Sequence, residues 1–347
     1  MTENTTINTR VLLAARPNGY PAISDFEIDT TPIPTPGSGN ILVRTLYLSL
    51  DPYMRHRMDD ARSYAPPAPL GEVMIGGIVG EVVVSHHTDW QTGDIVEGRL
   101  GWQQFAISDG AGLTKVDPSL ASVSTALGVL GMPGLTAYFG LLEVCRPLAG
   151  DTVMVSAASG AVGAVVGQIA RIAGCRVVGI AGGPRKIAYI TGELGFDAGI
   201  DYKAEGDLGA AIGAACPSGV DVYFDNVGGA IADAALDNLA RGARVAICGS
   251  VSQSSLAAPE LGPRVQGKLM TAWASMQAFN VFQFTARHDF ARARLAGWIG
   301  DGRLKYREDV VDGIENAPSA FIGMLRGENF GKRIVKVADA TAARATA

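Results

Sequence analysis

The 347-residue chain has little of what marks a secreted, membrane-embedded or nucleic-acid-binding protein. Its four cysteines, Cys145, Cys175, Cys216 and Cys248, stand about thirty or more positions apart, which is neither a disulfide framework nor the close pairing of a structural zinc site, so they read as buried, inert thiols. Its four histidines are His56, His86, His87 and His288. No two of them have the helical spacing of metal ligands, and His86-His87 follows a strand-like run, as turn residues do. No stretch of about 18 uninterrupted apolar residues offers a membrane span, and the opening segment, Met1 to Arg10, is polar where a signal peptide would be apolar. The formal net charge is only −5 and there is no long basic run, so the electrostatic footprint for nucleic acid or an anionic membrane is missing. Internal repeats and long low-complexity tracts are also absent, and Ala338 to Ala347 reads as a frayed terminus. These absences leave small-molecule chemistry in a cytoplasmic protein.

What is present is ample material for a core. Apolar residues make up 48% and charged residues 18% of a chain longer than one core usually grows, which predicts two folded domains. From Ile41 to Val116 short apolar runs (Ile41 to Leu50, Gly77 to Val84, Asp94 to Gly98) are broken by Gly and Pro, the pattern of a small β-rich domain. After Pro118 the character changes. Thr125 to Glu143 reads as helical despite Pro133-Gly134 in its middle, and sets a boundary near residue 125. Strands at Thr152 to Ala157, Arg176 to Ala181, Val220 to Phe224 and Arg244 to Cys248 then alternate with helical segments, which predicts a parallel, doubly wound α/β sheet. Past Gly302 a helix at Pro318 to Leu325 and a strand at Arg333 to Val337 form a tail. The expected division is 1–125, 126–301 and 302–347, with the tail returning to the first domain.

The first strand of the alternation runs into Ala158-Ser159-Gly160-Ala161-Val162-Gly163 and then into a helix ending at Gly174, with Val162, Val165, Val166, Ile169 and Ile172 on its apolar face. This resembles the dinucleotide fingerprint with alanine at its first glycine. Gly160 would let backbone approach a pyrophosphate, Gly163 would let helix and strand pack closely, and the helix N-terminus would present free N–H groups to the anion. A plain turn in an unrelated α/β protein is the alternative. Enzymes using NAD commonly carry a carboxylate about 20 positions further on, to bind the ribose 2′-hydroxyl. Here that place holds Gly182-Gly183-Pro184-Arg185-Lys186, two cations that suit a 2′-phosphate or else a solvated helix start, where the helix dipole does not favour them. Asp225-Asn226-Val227-Gly228-Gly229 and Cys248-Gly249-Ser250-Val251-Ser252-Gln253-Ser254 fall at the carboxyl ends of strands, where ligands bind in such sheets. Asn226 could hydrogen-bond a ribose or nicotinamide, and turn chemistry alone is the alternative for both loops.

With these pieces assembled, the chain resembles the prostaglandin reductase, or leukotriene B4 dehydrogenase, family of the medium-chain dehydrogenase/reductase superfamily, which includes plant alkenal double-bond reductases and bacterial curcumin reductase. The likeness covers nearly the whole chain. It rests on Asp51-Pro52-Tyr53-Met54-Arg55, Gly131-Met132-Pro133-Gly134-Leu135-Thr136-Ala137-Tyr138, Gly160 to Gly163 with Gly167-Gln168-Ile169-Ala170, Leu194-Gly195-Phe196-Asp197 leading to Tyr202-Lys203, Asp225 to Gly229, and Gly327-Glu328-Asn329-Phe330-Gly331-Lys332. The resemblance implies a GroES-like catalytic domain built from the N-terminal part and the tail, a Rossmann domain, and a homodimer. By position it implies NADP(H) contacts at Gly160, Ala161, Val162, Gly163, Lys186, Tyr202, Asn226, the Cys248 to Ser254 loop, Phe279-Asn280-Val281 and Asn329. Two positions depart from the family, since many relatives have tyrosine where this chain has Ser254 and Thr271. That puts substrate range and proton delivery in doubt. Relatives with catalytic zinc need a Cys or His set in the first domain, which here has no cysteine before Cys145, so no metal is expected.

The activity so implied is NADPH-dependent reduction of the carbon–carbon double bond of an α,β-unsaturated ketone or aldehyde. Hydride reaches the β-carbon, negative charge moves to the carbonyl oxygen, and that oxygen needs hydrogen-bond donors. Tyr53 is the candidate donor, a packing tyrosine satisfied by backbone being the alternative. Met132 and Tyr138 read as packing residues. Quinone or carbonyl reduction on the same fold, and NADP binding without turnover, are the rival functions.

Overall fold

The structure, a computed structural model, describes residues 6–341. The first five residues of the Met1 to Arg10 stretch and residues 342–347 of the alanine-rich terminus lie outside them. The chain forms two compact units, each described by itself.

The first unit comprises the described residues up to Leu127, Asp309–Glu328 and the described residues from Arg333 onward. Its main sheet orders the strands Glu308–Asp312, Lys332–Lys336, Ile41–Ser49, Ile78–Ser85, Ile95–Gly98 and Thr114–Lys115, and Phe105–Ser108 also pairs with Ile41–Ser49. Ile41–Ser49, almost wholly buried, pairs antiparallel with its neighbours, and its register against Ile78–Ser85 slips between Leu42 and Val43 and again between Thr45 and Tyr47. Irregularities of this kind bend and twist a sheet toward closure. Ile7–Leu13 and Phe26–Pro32 form a separate antiparallel ribbon. The core centres on Trp102, which stacks on Phe26 at 5.6 Å and meets Phe321 edge-on at 5.7 Å. Phe321 comes from the tail helix Ala317–Leu325, and its side chain is fully buried.

The second unit comprises Gly128–Glu308 and Asn329–Lys332. Its six strands are parallel and lie in the order Ala198–Asp201, Arg176–Ala181, Thr152–Ser156, Val220–Asp225, Leu239–Ile247, Ser275–Ala278. Numbered along the chain this is 3-2-1-4-5-6, the doubly wound Rossmann order, whose direction reverses between Thr152–Ser156 and Val220–Asp225. Both central strands are apolar and buried almost throughout, as strands covered by helices on both faces must be.

One sequence expectation fails here. Thr125 to Glu143 is not a single helix: a 3-10 turn over Val123–Leu127 is followed, after a break, by the helix Met132–Phe139 and a wider turn over Gly140–Cys145. Pro133, read as an interruption, stands in the helix's first turn, where its missing N–H costs nothing. A Cβ on Gly134 would lie 1.8 Å from the Val129 carbonyl oxygen, so the chain doubles back too tightly for a continuous helix.

Candidate active site

The reversal point of the sheet is organised by one carboxylate. Buried Asp225 accepts hydrogen bonds from Ser156 Oγ (3.1 Å), the Tyr223 hydroxyl (2.8 Å) and the backbone N–H groups of Val227 (3.0 Å) and Gly228 (2.9 Å). The Ser156 hydroxyl in turn accepts from the Asn226 backbone, and the Ser156 carbonyl accepts from the Asn226 side-chain amide, both at 2.8 Å. Asn226 is therefore fixed at the strand ends by its NH₂ group, and its amide oxygen makes no hydrogen bond among the described residues. Sequence reasoning missed Ser156; its only signal was a hydroxyl closing an otherwise apolar strand.

The glycine-rich turn leaves Thr152–Ser156 through Ala157, held at φ +50. Its two glycines do different work. A Cβ on Gly163 would lie 2.4 Å from the Ala157 carbonyl oxygen, so the helix Gly163–Ile172 seats on the strand end only because that atom is missing. A Cβ on Gly160 would meet only Ala157 O, at 3.2 Å, so Gly160 keeps a face open for a ligand. Gly160 also bridges Gly331 in parallel, which brings the segment that follows Asn329 to the turn from the far end of the chain. The Asn329 amide donates to Gly331 O at 2.8 Å.

The loop after Arg176–Ala181 carries cations and no carboxylate of its own. Gly182 lies against Tyr202 and Lys203, whose side-chain carbons would each come within 2.9 Å of a Cβ there. Asp201, at that edge, accepts from the Gly183 and Lys203 backbone N–H groups (2.8 and 3.1 Å), both through Oδ1. Arg185 and Tyr202 are exposed and Lys186 is half-buried. The loop thus gathers Arg185, Lys186, Tyr202 and Lys203.

The Cys248 to Ser254 loop folds back on the Asp225 loop. Cys248 and Gly249 N–H groups donate to Asp225 O, and Ser252 donates to Val227 O from both its backbone (3.1 Å) and its hydroxyl (2.7 Å). Between them stand Ser250 and Val251, with Gln253 held by Glu260 at 2.8 Å. Cys248 is half-buried, where the other three cysteines are buried as expected, and the desolvation of its thiol, with Asp225 nearby, pushes it up to about 12, so it stays protonated. Past the last strand, Phe279 meets Phe224 edge-on at 6.0 Å, the Asn280 side-chain oxygen caps the turn Val281–Arg287 by accepting from Phe282 N–H at 3.0 Å, and Val281 is buried.

In the first unit, Asp51, Met54 and Arg55 of the Asp51 to Arg55 motif are buried, Tyr53 is half-buried and Pro52 is exposed. Met54 is fully buried. Arg55 donates to Gly19 O (3.1 and 2.9 Å) and pairs with Asp59 at 2.7 Å. Asp51 accepts from the Ser49 hydroxyl. Tyr53 packs its ring against the core, but its hydroxyl makes no hydrogen bond with the described residues. Burial, then the Asp51 anion, raise its pKa well above the usual 10.0 against the opposing pull of Arg99 and Arg57, so the phenol remains a donor. The two departures from the family offer no such group: the buried Ser254 hydroxyl donates to Val251 O at 2.8 Å and the Thr271 hydroxyl to Gly267 O at 2.9 Å.

A Rossmann sheet with an open glycine turn at its reversal point defines a dinucleotide-binding architecture. Two family models match the chain: "N-terminal domain of oxidoreductase" over residues 9–116 and "Zinc-binding dehydrogenase" over residues 161–287. Among the described residues no group of three or more His, Cys, Asp or Glu side chains could hold a metal ion. The NADPH-dependent curcumin reductase of Escherichia coli (strain K12) is 45% identical over 95% of this chain and 97% of its own. Prostaglandin reductase 1 of Mus musculus is 44% identical over 92% and 95%. The crystal structure of CurA in complex with NADPH from Vibrio vulnificus superposes with a TM-score of 0.91, at 45% identity over 95% of this chain and 99% of its own. The chain belongs to the zinc-free prostaglandin reductase family of medium-chain dehydrogenases/reductases.

Proposed function

We propose that the protein is an NADPH-dependent reductase of the carbon–carbon double bond of α,β-unsaturated ketones and aldehydes. The observation that carries the reaction is the Tyr53 hydroxyl, kept protonated and unspent beside a hydrogen-bonded motif that fixes it. Curcumin, the substrate in one relative's name, has double bonds conjugated to carbonyl groups.

The residues present fit the cofactor. Gly160, Ala161, Val162 and Gly163 supply an open turn and helix N–H groups for the pyrophosphate, with Asn329 beside it. Lys186 and Tyr202 take the 2′-phosphate, and the loop from Gly182 to Lys186 carries no carboxylate of its own to prefer a 2′-hydroxyl. Asn226, the Cys248 to Ser254 loop and Phe279 to Val281 serve the nicotinamide half. When bound, NADPH supplies the hydride that the β-carbon of an enone accepts. Tyr53 donates to the carbonyl oxygen, where charge develops, and water protonates the α-carbon.

The test uses 3-nonen-2-one and NADPH deuterated on the transferred face. Deuterium is expected at the β-carbon of a saturated ketone, with the α-proton drawn from solvent and NADH a much poorer donor. Label at the carbonyl carbon of an allylic alcohol, or turnover of quinones alone, would refute the reading.

A cytoplasmic homodimer belongs to the same proposal. Ser275–Ala278 pairs only with Leu239–Ile247 among the described residues and so forms an edge of the six-stranded sheet, and just before it in the chain Met270 and Trp273 are 75% and 69% exposed. Such an edge is ready to pair with another chain. Sedimentation is expected to give a dimer that Trp273→Asp shifts toward monomer, and a monomeric wild type would count against it.

A further inference from the structure

Arg185 does not simply extend into solvent. Its guanidinium carbon lies 4.7 Å from the centroid of the Phe330 ring, and that of Arg307 lies 4.2 Å from the same centroid. Tyr189 meets the ring edge-on at 4.9 Å. All four residues belong to the second unit. Both arginines are exposed, and neither forms an ion pair among the described residues. Two cations on one ring repel each other, and the ring's negative face offsets only part of that. An anion would relieve the rest.

The surroundings say which anion. On the Arg307 side the chain packs onto the glycine turn: Gly331 bridges Gly160, and a Cβ on Gly331 would lie 2.3 Å from Arg307 O. The small cavity there is lined by Gly160, Ala161, Tyr189, Arg307 and Lys332, with Glu308 as the acid in its wall. On the other side, Arg185 follows Gly182-Gly183 and precedes Lys186, in the loop that lies against Tyr202 and Lys203. The stack therefore links the pyrophosphate turn to the loop that reads the ribose.

We propose that Arg185 is a further binding residue for the 2′-phosphate of NADPH, with Phe330 as its positioning residue and Arg307 as the neighbouring charge that keeps it unpaired in the free protein. This rests on the NADPH reading above. A phosphate monoester accepts two N–H groups of a guanidinium, whereas the 2′-hydroxyl of NADH offers no charge, so the stack favours one cofactor over the other.

Calorimetric titration of the full chain with NADPH, NADH and 2′,5′-ADP tests it without turnover. Arg185→Ala is expected to weaken NADPH and 2′,5′-ADP by about tenfold or more and to leave NADH and the melting temperature unchanged. Arg185→Lys should recover part of the loss, and Phe330→Leu should show the same pattern at smaller size. Equal losses for NADPH and NADH, or NADPH binding untouched by Arg185→Ala, would overturn this inference alone. A wild-type chain that binds no NADPH would overturn the cofactor reading and this one with it.

Discussion

Phe321→Ala is expected to lower the stability of the first unit by about 3–5 kcal/mol, the usual cost of emptying a buried phenylalanine site. The ring is fully buried and touches both Trp102, at 5.7 Å, and Phe26, at 6.4 Å, so removing it strips two large neighbours of contact at once. The site has little room to collapse, because Trp102 is itself held in a stack with Phe26 and lies against the backbone of Gly76, where a Cβ would come within 2.8 Å of the indole nitrogen. Urea denaturation followed by near-ultraviolet circular dichroism measures the loss. Phe321→Leu, which keeps more volume and no polar group, should lose less. A wild-type midpoint in Phe321→Ala would mean that the tail helix is not part of the core.

That contact was invisible along the sequence, for nothing local in Ala317–Leu325 tells that its face meets Trp102 more than two hundred residues earlier. Elements whose burial is complete were legible. Arg176–Ala181 reads correctly to the residue because a strand covered on both faces must be continuously apolar. The strands at the sheet's two ends, Ala198–Asp201 and Ser275–Ala278, escaped notice because each is four residues long and only partly buried, which leaves them weak periodicity. Leu239–Ile247 begins five residues before the expected Arg244, since Gly242 at φ +80 looks like a turn but stands inside an irregular strand. In the site, the Gly160 to Gly163 turn was readable because its chemistry is local. The pairing of Gly331 with Gly160 was not, and neither was the meeting of Arg185, Phe330 and Arg307, which depends on the tail crossing into the second unit for four residues only.

Tyr53→Phe is expected to lower kcat with an enone, with a ceiling near the roughly 10²–10³-fold cost of losing one donor to a developing oxyanion. The hydroxyl makes no hydrogen bond among the described residues, so its removal leaves no buried partner unsatisfied there, and the melting temperature should not change. This separates a chemical role from a structural one. The alternative, a packing tyrosine, predicts an unchanged kcat in the same variant. Donation by the cofactor's own ribose hydroxyl to the same oxygen would reduce the loss below the ceiling. The pH dependence follows from the raised pKa: a phenol whose ionisation lies well above the usual 10.0 donates throughout the neutral and mildly alkaline range. The wild type should therefore show no fall in kcat near pH 10 from Tyr53. Steady-state kinetics of both proteins from pH 6 to about pH 10, with solvent-exchanged product to follow the α-proton, measures each part. Because Tyr53 is asked to act on charge that develops only during the reaction, the loss should fall on kcat and leave KM nearly unchanged. An unchanged kcat would return Tyr53 to packing, and with Ser254 and Thr271 already bonded to their own backbone neighbours it would leave the enolate oxygen without a side-chain donor from any of the three positions.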